Sequence, residues 1–144
     1  MMGETPQNEK TIVAIIVSKN TLDMAYPPLI LAQTAAAMGM EAHLFFTFWG
    51  LELIKKGGAE KAKLPGFMRF FTGMMEKKMA KVGVKPLREM IREAKELGVK
   101  FHACQTTMEV LGIKKEDLIE EVDDVMGAAS FLEIAEKAKI TLFI

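Results

Sequence analysis

The chain has 144 residues, which is enough for one domain with a hydrophobic core, and its 50% hydrophobic and 26% charged residues are typical of a globular protein. Its 19 basic residues balance 19 acidic ones, so it lacks the basic excess of a general nucleic-acid-binding protein. The single cysteine excludes an internal disulfide, a dithiol redox pair and a multi-cysteine zinc site. The polar N-terminal sequence lacks the apolar region of a signal peptide, and no uncharged stretch is apolar enough to span a bilayer. We therefore expect a cytoplasmic protein, with no direct nucleic-acid binding and no membrane contact.

The first third of the sequence predicts a tail, a strand, a helix and a second strand. We expect residues 1–10 to be disordered and residues 11–17, a continuous β-branched run, to form a strand that is buried on both faces. Residues 27–39 predict a helix, because two prolines suit its first turn and a glycine ends it, and the preceding residues 21–26 suit an irregular helical turn. The aromatic-rich residues 41–48 predict the second strand.

The middle third predicts three helices. Residues 51–57 indicate a short one, and residues 86–98 form the clearest amphipathic pattern in the chain. Between them, residues 65–83 predict a methionine-rich helix whose apolar surface is wider than one helix usually buries. This segment is a core or subunit-interface helix, an adaptable lid or docking surface, or, less favoured, an interfacial membrane contact. Its apolar stripe comprises Phe67, Phe71, Met74, Met75 and Met79, flanked by Met68 and Phe70.

The last third predicts three strands and two helices in alternation. Residues 99–104, 121–126 and 140–144 indicate the strands, and residues 106–112 and 130–139 indicate the helices. Each of these helices starts with a capping-box pattern, in which the first side chain and an acidic residue three positions later satisfy the free N–H groups. The two boxes pair Thr106 with Glu109 and Ser130 with Glu133.

Strands and helices alternate throughout, without an internal repeat or a domain boundary. This pattern predicts a single α/β domain over residues 11–144, with a mostly parallel sheet that is covered by helices on both faces. Glycine-rich dinucleotide and P-loop motifs are absent from the sequence, so we expect no cofactor of these classes.

Charge is unevenly distributed along the chain. Residues 55–85 contain nine Lys or Arg and two Glu, whereas residues 109–136 contain nine acidic residues and two Lys. Two solvated faces account for this pattern, and so does a basic surface that binds an anionic ligand or partner or pairs with the acidic surface of a second copy.

Cys104 ends the third predicted strand and directly precedes a predicted helix. In open parallel sheets, ligands bind outside the carboxyl ends of the strands, so the thiol lies on the edge where a site is expected. The backbone N–H groups of Gln105, Thr106 and Thr107 are free at the helix start, and together with the helix dipole they favour a thiolate over a thiol. Alternatively, Cys104 is a small buried hydrophobic residue without chemistry.

The loops after the first two strands supply further pocket candidates at the same edge. These are Lys19, Asn20 and Trp49.

Neither histidine predicts a catalytic or metal site. His102 lies two residues before Cys104 on the same strand face, and we interpret it, like His43, as a packed and hydrogen-bonded side chain rather than an acid–base partner. Two histidines without a nearby ligand cluster give no case for a metal.

Three segments, "AAAMGMEAHLFFTFWGL", "HACQTTMEVLGI" and "DVMGAASFLEIAEKAKITLFI", resemble the DsrE/DsrF family of sulfur-relay proteins. The resemblance extends over nearly the whole chain from residue 11. It is closest to the DsrE-like subgroup that carries the "FFTFWGL" segment and a methionine-rich insertion. It implies a three-layer α/β/α fold with a five-stranded parallel sheet, usually assembled as homo- or hetero-oligomers.

The resemblance also implies that Cys104 carries sulfane sulfur, as a persulfide or a thiosulfonate adduct. Implied partners are TusA-like carriers, rhodanese-like proteins and other DsrE-type subunits. Many relatives have Ser where this chain has Thr107, so the hydroxyl is retained. Since the chain has no second thiol, sulfur held on Cys104 must leave to another molecule.

The sequence therefore predicts a sulfur carrier of the sulfurtransferase type that acts through Cys104. Two other interpretations stay open. One is a non-catalytic ligand-binding or assembly module with a structural cysteine, and the other is a peroxide-reactive enzyme with a single cysteine.

Overall fold

The computed structural model describes residues 9–144, in which strands and helices alternate along the chain. The predicted disordered tail over residues 1–10 lies, except for its last two residues, outside them. The strands of the described part are β1 (Ile12–Val17), β2 (Glu41–Phe46), β3 (Lys100–Cys104), β4 (Asp124–Met126) and β5 (Ile140–Phe143). Its α-helices are α1 (Leu22–Ala37), α2 (Thr72–Lys81), α3 (Leu87–Glu96), α4 (Gln105–Leu111) and α5 (Ala128–Ala135). Its 3-10 segments are Phe48–Ile54, Ala59–Lys61, Gly66–Phe71 and Lys115–Asp117.

The sheet is entirely parallel, in the order β4-β3-β2-β1-β5. This confirms the predicted α/β fold with a five-stranded, mostly parallel sheet. Strands β1 to β4 step across the sheet in one direction, whereas β5 returns to the other side of β1. Because crossovers between parallel strands are right-handed, the connections through α1, α3 and α4 lie on one face and the connection through α5 lies on the other. All five strands end at the same edge of the sheet.

Aromatic side chains fill both sides of the central strands. On one face the rings of Phe46 and Phe101 stack with centroids 5.7 Å apart, and both side chains are buried. On the other face Phe45 stacks on Phe131 of α5 with centroids 4.5 Å apart. Since neighbouring residues of a strand point to opposite faces, Phe45 and Phe46 lie under different helix layers.

Helix α1 begins at Leu22, so the prolines do not start it, and the expected helical turn over residues 21–26 belongs to the helix from Leu22 onward. Pro27 and Pro28 lie in its second turn, where each removes one N–H group from the helical ladder and costs about 3 kcal/mol. Burial of Leu22 contributes about 1.5–3 kcal/mol, and the Tyr26 hydroxyl also donates to the Lys85 carbonyl at 2.9 Å. These tertiary contacts hold the first turn in helical conformation.

The two predicted capping boxes are also wrong. Helix α4 follows β3 without a loop and has Cys104 at its N-cap, and α5 has Gly127 at its N-cap. Thr106 and Ser130, the predicted caps, already lie inside the helices. A capping box needs an extended residue at its first position, and here the chain turns helical before that position is reached.

The methionine-rich segment is a 3-10 segment followed by α2 rather than one continuous helix. At the junction, the Thr72 hydroxyl donates to the Arg69 carbonyl at 2.7 Å and accepts from the Leu64 N–H at 3.0 Å. No residue of α2 is buried, and Phe67 and Phe70 are 76% and 75% exposed. The structure thus contradicts a core role for this segment and leaves the subunit-interface, docking-surface and interfacial membrane-contact interpretations. Within the described residues, no helix combines the length and apolar character needed to cross a membrane.

The predicted helix over residues 51–57 is replaced by the 3-10 segment Phe48–Ile54, which follows β2 almost directly. A Cβ added to Gly50 in this segment would lie 2.1 Å from the Val17 carbonyl oxygen at the end of β1. The Thr47 N–H donates to the same carbonyl at 3.0 Å. The missing side chain at Gly50 therefore determines how closely the loop after β2 docks on the carboxyl edge of the sheet.

Gly50→Ala should lower the free energy of unfolding by about 1–3 kcal/mol, the usual cost of forcing a methyl group into a packed site. The clash is with backbone, so only a shift of the whole loop relieves it. Gly73→Ala in α2 is the matched control, because a Cβ there meets nothing within 4 Å and Ala is the better helix former. Urea denaturation of both variants measures the difference. A Gly50→Ala variant as stable as the wild type would contradict the close approach.

Candidate functional site around Cys104

Cys104 lies at the junction of β3 and α4. It is the last residue of the strand and the N-cap of the helix, and 7% of its surface is exposed. On the β4 side, its register partner is Met126. The loop that follows β2 lies on the other side, since β2 is the second neighbour of β3. The thiol is thus nearly enclosed at the carboxyl edge of the sheet.

Two hydroxyls and two backbone N–H groups act on this thiol. They are the hydroxyls of Thr47 and Thr107 and the N–H groups of Thr106 and Thr107. Burial raises the pKa of the Cys104 thiol, but these four donors lower it further, and the pKa lies below its usual value. The helix has no side-chain cap hydrogen bond of standard geometry. The donors therefore favour mainly the charged thiolate, which attracts them more strongly than a neutral thiol does.

Thr107 is fully buried, and its hydroxyl connects the two loops of the site. The Phe48 N–H donates to this hydroxyl at 2.8 Å, and the Thr47 hydroxyl lies 3.1 Å from it. Because the Phe48 N–H satisfies the Thr107 oxygen as an acceptor, the Thr107 hydrogen is free to turn to Thr47 or to Cys104. Rotation of the two hydroxyl hydrogens is sufficient to direct both of them at a thiolate.

Phe48 has a left-handed backbone φ of 46°, which is rare for a bulky residue. Its side chain is 52% exposed, so packing of the ring does not explain the conformation. The conformation does bring the Phe48 N–H to the Thr107 hydroxyl at 2.8 Å. Backbone strain of this kind costs about 1–3 kcal/mol and clusters at functional sites.

His102 is oriented away from any role on the thiol. Its Nδ1 lies 2.6 Å from Asp124 Oδ1, and its Nε2 lies 2.8 Å from His43 Nδ1. Both ring nitrogens therefore have partners, and neither is left for Cys104. This confirms the interpretation of His43 and His102 as packed, hydrogen-bonded histidines. In the described part of the chain, no three or more His, Cys, Asp or Glu side chains form a group that could hold a metal ion.

The sequence matches the DsrE/DsrF/DrsH-like family over residues 7–71 and 59–143, which together span nearly the whole chain. The chain belongs to this family. The match confirms the resemblance that was drawn from the three sequence segments.

Individual relatives of this DsrE/DsrF/DrsH-like chain agree with the family match. It is 38% identical to "Sulfur carrier protein DsrE2" of Allochromatium vinosum, over 94% of this chain and 99% of that protein. It is 34% identical to the uncharacterized protein YrkE of Bacillus subtilis, over 97% of this chain and 99% of that protein. Among solved structures, the YchN protein of E. coli has a similar fold, with a TM-score of 0.60 over 94% of this chain and 100% of that one. At 13% identity this likeness shows the fold alone.

In this DsrE/DsrF/DrsH-like chain, only part of the predicted set of donors meets the thiol. Thr106 and Thr107 present their N–H groups to Cys104. Gln105 is not one of the four donors named above, and its exposed side chain instead donates to Glu109 at 3.2 Å.

The three pocket candidates lie along the same edge of the sheet but are not part of this donor set. Lys19 is exposed, and Trp49 is 58% exposed in the segment after β2. Asn20 lines a different cleft of about 350 Å³, which it shares with basic side chains that precede α2. The strand-end argument thus located the edge correctly but did not identify which side chains of the loops face the thiol.

The sequence places Thr47 after the second predicted strand, on the edge where Cys104 lies, but does not single out its hydroxyl as a partner of the thiol. Strand β2 ends at Phe46 and leaves Thr47 in the loop. The missing information was the strand order, because only the adjacency of β2 and β3 places this loop beside Cys104.

Thr47→Val removes one hydroxyl donor and keeps the shape of the side chain. We expect the pKa of the Cys104 thiol to rise by about one to two units, since a hydrogen bond to a charged group contributes roughly 1.5–3 kcal/mol. The pH dependence of the alkylation rate of Cys104 measures this pKa. Thr47→Ser retains the donor and should leave the pKa unchanged. If the Val variant titrates like the wild type, Thr47 has no part in the site.

Thr107→Val is a useful comparison because it removes a donor and an acceptor together. It should raise the pKa of Cys104 and also leave the Phe48 N–H without its acceptor, which costs about 1–3 kcal/mol of stability. The Thr47 variant therefore separates the effect on the thiol from the effect on folding.

Proposed function

We propose that this protein is a cytoplasmic sulfur carrier that holds sulfane sulfur on Cys104 and passes it to a protein partner. The observation that carries the proposal is the set of hydrogen-bond donors around the single thiol, which lowers its pKa despite its burial. A structural cysteine in an apolar environment has the opposite shift. The 38% identity to a sulfur carrier protein over nearly the full length of both chains supports the same assignment.

The chemistry follows thiol–disulfide exchange with one sulfur atom transferred. The Cys104 thiolate attacks the outer sulfur of a donor persulfide, the bond between the two donor sulfurs breaks, and the donor leaves as a thiolate. Cys104 then carries a persulfide, until an acceptor thiolate attacks its outer sulfur and Cys104 leaves as a thiolate. Both steps are displacements at sulfur, so no oxidant or reductant is consumed. With a donor that carries a thiosulfonate on its own cysteine sulfur, the Cys104 thiolate attacks the sulfur that bears the sulfonate. The bond between that sulfur and the donor cysteine breaks, and the donor again leaves as a thiolate.

The acceptor in this proposal is another protein. The chain has one cysteine, so no second thiol of its own can resolve the adduct. At 7% exposure the thiol admits a narrow group, such as the cysteine at the end of a mobile chain, more readily than a large metabolite. TusA-like and rhodanese-like sulfur-transfer proteins are the partners that we propose.

We also propose that the chain forms a homo-oligomer. The 3-10 segment before α2 exposes the rings of Phe67 and Phe70, and α2 adds several lysines beside them. The region from residue 109 to residue 136 is acidic in turn. Contact between the basic, aromatic surface of one copy and the acidic surface of another would cover the exposed rings and pair the charges.

Intact mass spectrometry tests the carrier proposal directly. Reduced protein is exposed briefly to polysulfide, thiosulfate, tetrathionate or peroxide, with Cys104→Ser alongside. We expect the wild type to gain sulfur atoms or a thiosulfonate group, the Ser variant to gain nothing, and reductant to remove the adduct. Thr47→Val should load more slowly at neutral pH, because less of its thiol is ionised.

Two outcomes would overturn the carrier proposal. Adduct formation with peroxide but with no sulfane donor would indicate a peroxide-reactive cysteine. The absence of any adduct, together with slow alkylation at all pH values, would indicate a structural cysteine.

Light scattering coupled to size exclusion tests the oligomer. We expect a mass of more than one chain for the wild type and a smaller mass for Phe67→Ser/Phe70→Ser, since both rings are exposed and their loss leaves the core intact. Leu97→Ser, at a residue that is 51% exposed and lies outside both charged surfaces, is the control. A monomeric wild type at micromolar concentration would contradict self-association.

A further inference from the structure

Four polar side chains form a continuous hydrogen-bonded chain across three strands of the sheet. Glu41 Oε1 lies 2.6 Å from His43 Nε2, His43 Nδ1 lies 2.8 Å from His102 Nε2, and His102 Nδ1 lies 2.6 Å from Asp124 Oδ1. Strands β2, β3 and β4 supply these side chains, and neither the carrier chemistry nor the Cys104 donor set uses them. We call them the carboxylate–histidine chain.

The two imidazole rings meet edge to edge. Their planes differ by 11° and their centroids are 5.0 Å apart. The 2.8 Å distance between His43 Nδ1 and His102 Nε2 is shorter than the ~3.5–4.0 Å at which non-bonded atoms rest, so the contact is an in-plane hydrogen bond and not face-to-face stacking. Both histidine side chains are at least nine-tenths buried, whereas the side chains of Glu41 and Asp124 are 43% and 50% exposed.

Three hydrogen bonds in a row require three hydrogens. Ionised carboxylates donate none, and two neutral imidazoles carry one hydrogen each. With two hydrogens, either two lone pairs face each other between the rings or a lone pair faces a carboxylate. With four, two N–H groups face each other at 2.8 Å. While both carboxylates are ionised, only a chain with one imidazolium and one neutral imidazole satisfies every contact.

The pKa of His102 favours its neutral form. Burial lowers this pKa below its usual value, although the Asp124 carboxylate opposes the shift. We therefore assign the neutral ring to His102, with its hydrogen on Nδ1 directed at Asp124. His43 then donates from both nitrogens, to Glu41 and to His102.

Other charged groups surround the chain at its ends. Asp123 lies next to Asp124 and raises the pKa of His102 slightly. Lys100 is the register partner of His43 on β3, and β1 places the uncharged Ala14 beside it. Glu41 opens to a cleft of about 500 Å³ that also contains charged side chains. These are Glu9, Lys10, Lys137 and Lys139 on that cleft, Glu133 and Glu136 on α5, and Lys115 and Glu120 beside Asp124.

We propose that the carboxylate–histidine chain stores one proton, held on His43, and that this proton locks the edge strand β4 onto the sheet. Strand β4 has only three residues, so its backbone ladder with β3 is short and side-chain contacts add to it. Asp124 binds His102, and Asp123 accepts from the Phe101 N–H at 2.8 Å. The inference is independent of the carrier function, although Met126 of the same strand is the register partner of Cys104.

Because of the stored proton, the attachment of β4 to the sheet weakens both when the pH falls and when it rises. On acidification the unfolded chain protonates His102 before the folded chain does, because the folded pKa is the lower one. Stability therefore falls as the pH drops from the ordinary histidine range through the lowered pKa. On alkalinisation the third hydrogen is lost, and two lone pairs are left facing each other 2.8 Å apart.

Long-range 1H–15N NMR of histidine side chains tests this directly. The protein contains two histidines, so its four ring nitrogens account for all the signals. Near neutral pH we expect three protonated nitrogens, with His43 as an imidazolium and His102 as the neutral tautomer protonated on Nδ1. Two neutral rings, or two imidazolium rings, would overturn the proposal.

Charge-neutral variants provide a second readout that a purely structural role would not change. Glu41→Gln/Asp124→Asn keeps both hydrogen-bond acceptors but removes both negative charges. The pH at which the third proton is lost should fall, because two charges that favour the protonated chain are removed. Glu133→Gln/Glu136→Gln removes the same charge from α5 and its C-cap and should leave that pH nearly unchanged. Equal titration of the two double variants would contradict the proposal, and if the first fails to fold, the wild-type spectrum alone decides.

Discussion

The hydroxyl of Thr107 is the contact on which the thiol site depends. It lies in the first turn of α4, and its partners belong to the loop after β2, so it joins the connections of two neighbouring strands. The side chain is fully buried, and a buried hydroxyl without partners would cost several times what one hydrogen bond contributes. Both loops are therefore constrained together. The left-handed backbone of Phe48 is a consequence of this contact, because its N–H must reach into the interior.

Close docking of the loop on β1 complements this contact. Gly50 places its backbone against the Val17 carbonyl, where no side chain fits. The loop is thus held at one end by Thr107 and a few residues later by β1. Between these points it has no freedom to withdraw Thr47 from the thiol.

The sequence was sufficient for the fold because the decisive signals are local and repeated. The β-branched run of β1 and the amphipathic pattern of α3 each predict an element, and their alternation predicts a parallel sheet. Predictions from local signals are wrong where tertiary contacts favour another conformation. The prolines of α1 predict a helix start, but the preceding turn is buried and helical, so the helix begins before them.

The sequence predicts only the part of the site that lies on one strand and the helix that directly follows it. Cys104 at the end of β3 follows from the pattern of its own segment, and so do the N–H groups of Thr106 and Thr107. The role of Thr47 depends on which strand neighbours β3, and the pairing of His43 with His102 depends on register as well. A single sequence specifies neither of these long-range relations, so the side chains that a second strand contributes could not be assigned to their partners.

The hydrogen-bond donors around Cys104 affect both roles that the thiol has in the proposed carrier. In the proposed cycle Cys104 acts first as a nucleophile and later as a leaving group. A lower thiol pKa increases the fraction of thiolate and improves the leaving group, but it also reduces intrinsic nucleophilicity. Each donor at Cys104 is a neutral hydroxyl or amide, and no cation is among them. In our proposal the third hydrogen of the carboxylate–histidine chain belongs to His43, where it lies between Glu41 and His102 and not at the thiol. Neutral donors lower the pKa without pairing the thiolate to a fixed positive charge, which would keep the proposed sulfur transfer reversible at this cysteine.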